Sequence, residues 1–94
     1  ISMSEGQAGR PLSLGERRVR ISFNPNQAPH VNELKTMAAA FVDYCHELRA
    51  IARDPSRVLG HEDVGELNRL VALAQTHAED AAMWAVKAAT LGLP

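Results

Sequence analysis

Ninety-four residues, with 46% hydrophobic, 22% charged and 4% aromatic content, make one small domain with enough apolar matter to fold. Ten Lys+Arg face eleven Asp+Glu, so the formal net charge is −1 and the basic excess of a general DNA or RNA binder is missing. No apolar run reaches 18 residues and no signal-peptide pattern opens the sequence. One cysteine, Cys45, excludes an internal disulfide and a cysteine-based zinc cage, and the expected location is a reducing cytosol.

Ile1 and Ser2 precede Met3 and read as residues left by expression. Residues 4–16 (SEGQAGRPLSLGE) carry Gly, Ser and Pro without a sustained period, so residues 1–16 are expected to be a mobile N-terminal tail outside the domain at 17–94. Residues 17–23 (RRVRISF) alternate briefly, with Val19, Ile21 and Phe23 on one side and Arg18, Arg20 and Ser22 on the other. This pattern predicts a short extended arm with an apolar and a basic edge. Asn24-Pro25-Asn26-Gln27-Ala28-Pro29 then breaks regular structure twice.

From His30 the period becomes helical. Val31, Leu34, Ala38, Phe41, Cys45, Leu48 and Ala52 form the expected core stripe, widened by Met37, Tyr44 and Ile51, with Lys35, Asp43, Glu47 and Arg49 largely off it. The first long helix is predicted at about 30–53, roughly 36 Å at 1.5 Å per residue, ended by Asp54-Pro55. A second is predicted at about 62–91, with Val64, Leu67, Val71, Ala74, Ala78, Ala81, Ala85 and Ala88 as its stripe, and Gly92 and Pro94 as its stop. The expected fold is all-α: an antiparallel hairpin of two long helices with an extended N-terminal arm. A hairpin has one internal interface, yet residues 81–91 (AAMWAVKAATL) are apolar on nearly every side. Such a segment must be covered, so copies of the hairpin are expected to assemble into a helical oligomer.

Few residues carry recognisable chemistry. His77 and Asp80 share the i, i+3 spacing that can hold a metal, but one such pair is half a site, and His30, His46 and His61 do not complete it. Cys45 and His46 are adjacent on a helix and diverge by about 100°, so they cannot act as a dyad. No Gly-rich phosphate loop and no nucleophile motif is present. Glu62, Asp63 and Glu66 could hold magnesium in a nucleotide hydrolase, but acids in a first turn more simply complement the helix dipole. Glu79 and Asp80 lie in the apolar half of the second helix, where carboxylates need partners, and a neighbouring subunit is the expected source. No catalytic residue, metal ligand or cofactor is expected. The remaining chemistry is basic and aromatic. Arg17, Arg18 and Arg20 before Phe23, then Lys35, Arg69 and Lys87, supply cations for phosphates and a ring for stacking. The same residues also read as a solvated basic edge and an apolar plug.

Three stretches together resemble a known family: RISFNPNQAPHVNELK at 20–35, TMAAAFVDYCHEL at 36–48, and above all THAEDAAMWAVKAAT at 76–90. The last is similar to the Thr-x-x-Glu-(Glu/Asp)-Ala-x-Met-Trp-Ala-x-Lys pattern of a phage helical-hairpin domain shared by the anti-CBASS and anti-Thoeris cyclic-nucleotide sponges. The resemblance implies a non-enzymatic oligomer, with a homohexamer as the expectation, working in the host cytosol. It would bind a 3′,3′-cyclic dinucleotide, a cyclic trinucleotide or a cyclised ADP-ribose at subunit interfaces and keep it from an immune effector. No membrane and no DNA or RNA polymer is implied as a partner. By the same resemblance Phe23 would stack a base and Lys35 would meet a phosphate, while Thr76, Glu79, Asp80, Trp84 and Lys87 match the second-helix motif. The expected ligand-binding set is Arg20, Phe23, Asn24, Pro25, Lys35, Arg69, Thr76 and Lys87. The expected interface set is Glu79, Asp80, Ala81, Met83, Trp84, Ala85 and Ala88. Where anti-CBASS members carry a tyrosine, this chain has Phe23 followed by Asn-Pro, which removes a hydroxyl. A structural or adaptor oligomer without a small ligand shares the same fold expectation.

Overall fold

A computed structural model describes residues 10–24 and 28–93. The regular structure among the described residues is all helical, with α1 at Leu14–Arg18, α2 at Val31–Glu47 followed by a 3-10 stretch at Leu48–Arg53, and α3 at His61–Ala89. Residues 1–9 of the expected tail, Ile1 and Ser2 among them, lie outside the described residues, as do Pro25 and Pro94.

The N-terminal segment differs most from expectation. Residues 14–18 are helical and residues 19–22 turn, so the extended arm is not formed and the last residues of the expected tail belong to the folded body. The cause is local capping chemistry. Ser13 Oγ accepts the Glu16 N–H at 3.0 Å, and Glu16 Oε1 accepts the Ser13 N–H at 2.9 Å, closing a reciprocal capping box. Arg10 then grips the Glu16 carboxylate through two hydrogen bonds of 2.9 Å each. Gly15 explains how α1 docks. A Cβ there would stand 2.1 Å from the Ala39 carbonyl oxygen, so only hydrogen fits between the two backbones. The Gly15 N–H also donates to Asp43 Oδ1 at 2.7 Å.

The two long helices contact one another along much of their length. Gln75 on α3 donates to the Val42 carbonyl at 3.1 Å, and Arg49 donates to Asn68 Oδ1 at 3.0 Å, so partner numbers run in opposite senses along the two helices. The buried apolar set is Val19, Ala28, Val31, Ala39, Val42, Cys45 and Val71. Cys45 is thus the buried small residue its position predicted. The core line of α2 is rotated by about one residue from the expected stripe. Lys35, Ala39 and Val42 point inward, while Phe41 is half-exposed. On α3 the fully buried Gln75 replaces an alanine of the expected stripe, and Ala81 and Ala88 are exposed. The rotation follows from α1, which docks on the Ala39–Asp43 side and turns that side into interior.

This core is made of small side chains, and the molecule is thin. Its extents are 52 × 32 × 15 Å, close to the ~10–12 Å thickness of one helix with its side chains. Met37, Phe41, Tyr44, Leu70, Leu73, Met83 and Trp84 therefore remain in contact with solvent in the single chain. No helix among the described residues is long and apolar enough to cross a membrane.

Candidate functional site

A depression of about 390 Å³ lies where the end of α1 and the turn after it meet α2 and the second half of α3. Ala82, Met83, Val86 and Val19 line its apolar part, and Arg18, Arg20, Lys35 and Lys87 supply the cations. Glu79 is the one carboxylate in the lining, and it is bound to Arg18 in the same chain. Four cations against one carboxylate make this cleft strongly basic in a chain whose net charge is −1. The size falls within the ~300–1,000 Å³ range of small-molecule sites.

Its lip is a tight turn. Arg20 adopts a left-handed backbone with φ of 56°, unusual for a residue with a Cβ. Its carbonyl accepts the Phe23 N–H at 2.8 Å and the Lys35 ammonium at 3.1 Å, and the same ammonium donates to the Phe23 carbonyl. Lys35 is only 7% exposed, and burial, with the Arg20 charge adding to it, pulls its pKa below the usual lysine value. The Arg20 guanidinium stands 4.7 Å from the Phe23 ring centroid and the Lys35 ammonium 5.1 Å from it. Phe23, 53% exposed, looks into a shallower hollow on the far side of Arg20, lined also by Leu12, Glu16, Arg17, Ile21 and Ser22.

The expected ligand set divides three ways. Arg20, Lys35 and Lys87 are brought together in the cleft and Phe23 lies against Arg20 and Lys35 but lines the neighbouring hollow, although Lys35 is an interior group rather than the off-core one its sequence position indicated. Arg69 is not among them. It pairs with Glu66 at 2.7 Å, some fifteen ångströms of helix before Glu79 at 1.5 Å per residue. Thr76 is exposed outside the cleft lining. Asn24 accepts the Ala28 N–H at 3.0 Å, and Pro25 lies outside the described residues.

Among the expected interface residues, Glu79 finds its partner within the chain, Arg18, so the need for a second subunit at this carboxylate falls away. Met83 borders the basic cleft. Trp84 is 58% exposed and carries the Lys87 ammonium 4.9 Å from its ring centroid. Ala81 and Ala85 line a separate, almost wholly apolar groove with Leu34, Met37, Ala38 and Phe41. Asp80 and Ala88 are exposed.

The acidic start of α3 has structural partners. Asp63 accepts the Gly60 N–H at 3.1 Å and Glu66 holds Arg69. Among the described residues no group of His, Cys, Asp or Glu has metal-binding geometry. Two residues that matter were missed in the sequence. Arg18 was grouped with its basic neighbours but not singled out. Gln75 accepts from both Arg18 and Arg49 at 3.4 and 3.3 Å while donating to Val42, which ties α1 to the helix pair. The signal for Gln75 was its place four residues after Val71, on the same face.

The sequence model of the Acb2/Tad1 hairpin domain matches residues 12–90. The chain belongs to the Acb2/Tad1 hairpin-domain family. The match begins at the α1 cap and ends at the last turn of α3, so it takes in α1, the lip and the cleft. This Acb2/Tad1 domain is the anti-CBASS and anti-Thoeris sponge family, associated with sequestering cyclic nucleotides, and it is a binding domain. No curated protein and no solved structure matches the chain.

Proposed function

We propose that this protein is a phage-type sponge that binds a cyclic oligonucleotide second messenger in the basic cleft and holds it without cleaving it. The observation that carries the reading is the lining itself. Four cations surround a floor of Val19, Ala82, Met83 and Val86, which is the chemistry a ligand with charged phosphates and flat bases requires. Arg20 and Lys87 reach the phosphates, and Phe23 stacks a base beside the lip. A 3′,3′-cyclic dinucleotide, a cyclic trinucleotide or a cyclised ADP-ribose fits this description, and the host cytosol is where such a signal is met.

The fold in this reading is an antiparallel hairpin that works as an oligomer, with a homohexamer as the expected state. The apolar groove of Leu34, Met37, Phe41, Ala81 and Ala85 and the exposed Trp84 supply the apolar surface for contact between copies. Calorimetry with cyclic di- and trinucleotides and cyclised ADP-ribose tests the ligand, and recovery of intact ligand after incubation with magnesium tests the absence of turnover. The reading fails if none binds tighter than about 10 µM, near −7 kcal/mol. A stable oligomer that binds none of them is the outcome of the second reading, a structural or adaptor module. The exposed apolar face favours that reading to the same degree.

A further inference from the structure

Lysine is a costly residue to bury, and Lys35 is only 7% exposed. Its ammonium has three N–H groups. Two of them donate to backbone carbonyls, those of Arg20 and Phe23, fifteen and twelve residues earlier in the chain. Those carbonyls belong to the turn in which Arg20 is held left-handed. A strained turn persists only where its surroundings over-determine it. The Phe23 N–H to Arg20 carbonyl bond is one such constraint, and the Lys35 ammonium, anchored in α2, is the other. Of this turn's side chains, the Arg20 guanidinium lines the cleft, and the Phe23 ring lies against it and lines the neighbouring hollow.

Building on the cleft reading, we propose that Lys35 is a positioning residue: it clamps the carbonyls of Arg20 and Phe23 to α2 and thereby fixes the lip, rather than serving as a phosphate-binding cation. Arg20 and Lys87 then carry the phosphate contacts, and Lys35 affects binding through the two lip groups it positions, Arg20 and Phe23.

The chain has two lysines, Lys35 and Lys87, so 15N-lysine labelling gives two side-chain signals in the intact protein. The Lys35 ammonium is expected to exchange slowly and to show through-bond coupling to the Arg20 and Phe23 carbonyl carbons. Both couplings should survive saturation with cyclic di-AMP, and any coupling to phosphorus should fall on Lys87. Lys35→Met should raise amide exchange in residues 19–24 more than tenfold and weaken cyclic di-AMP more than tenfold. In a background lacking both lip side chains, Arg20→Ala with Phe23→Ala, the same change should cost less than twofold, because the groups it positions are gone. Lys35→Arg, which keeps the donors, should recover part of the affinity. Phosphorus coupling at Lys35, or equal losses from Lys35→Met with and without the Arg20 and Phe23 side chains, would overturn the proposal. Unaltered exchange in residues 19–24 would overturn it too. A wild-type protein with the carbonyl couplings intact but no affinity for any cyclic nucleotide would instead refute the cleft reading, and the positioning role would fall with it.

Discussion

The two ends of the helix pair use the same charged residue types in opposite ways. At the tip, ion pairs are local: Arg57 with Asp54 and Arg69 with Glu66, each at i, i+3 and each well exposed. At the cleft end, partners lie far apart in the chain. Arg18 meets Glu79 across 61 residues, and Lys35 meets the Arg20 and Phe23 carbonyls. Local exposed pairs are satisfied by the helix that bears them and add little. Distant pairs exist only after the fold brings them together, so they can hold a shape that a ligand reads. Basic residues at the tip therefore decorate the surface, whereas those near α1 line the cleft.

The comparison can be broken at several points. The largest effect expected is on assembly. Ala85→Glu puts a charge into the apolar groove and should reduce the oligomer to single chains, as read by sedimentation velocity, and Trp84→Ala should weaken it in the same assay. An unchanged mass in both would remove this face from the interface. Next comes Gly15→Val, which forces the Ala39 backbone away and should cost about 3 kcal/mol in denaturant unfolding. Because α1 carries the lip, cyclic-nucleotide binding should disappear with it. Third, Arg20→Ala and Lys87→Ala should each weaken binding by about tenfold, or ~1.4 kcal/mol, while Arg69→Ala stays within ~0.5 kcal/mol of wild type. Equal losses at Arg69 and Arg20 would erase the distinction between the two ends.

The smallest effect is the pH dependence of the α1 cap. The Arg10 hydrogen bonds, followed by the Ser13 backbone N–H, hold Glu16 down from 4.5 to about 2. A carboxylate whose folded pKa is lowered contributes stability that is complete above the unfolded value and lost as pH falls through the folded one. The contribution of Glu16 should therefore fade between pH 4.5 and about 2. Glu16→Gln should lower stability at pH 7 by about 1 kcal/mol or less and flatten the acid limb of the unfolding curve.

The helices were legible because Val31, Leu34, Ala38, Phe41 and Cys45 in the first, and Val64, Leu67 and Val71 in the second, recur at helical spacing and because Asp54-Pro55 and Gly92 punctuate the chain. Gly92 lies at φ 83° just past α3, where a residue without a Cβ is favoured. The N-terminal segment was misread for a physical reason. Alternation at Val19, Ile21 and Phe23 is too short to distinguish a strand from a turn, and the decisive groups are the Ser13–Glu16 box and the fit of Gly15 on Ala39. That fit depends on a helix 24 residues away, which no local pattern reveals. The rotated stripe on α2 has the same origin. Lys35 reads as a surface residue until α1 and its turn cover it. Phe23, Arg20 and Lys87 could be nominated from residue type alone. Dismissing Arg69 and recognising Arg18 required knowing which end of α3 meets α1.

A body 15 Å deep is a plate rather than a ball. Its broad faces are separated by one rod of side chains, so Val86 and Met83 border the basic hollow while Ala82 reaches that hollow and the greasy one as well. Pressure applied on one face has no insulating interior to dissipate it. Occupancy of the hollow and contact between copies should therefore be felt mutually across a single helix, with no hinge between them.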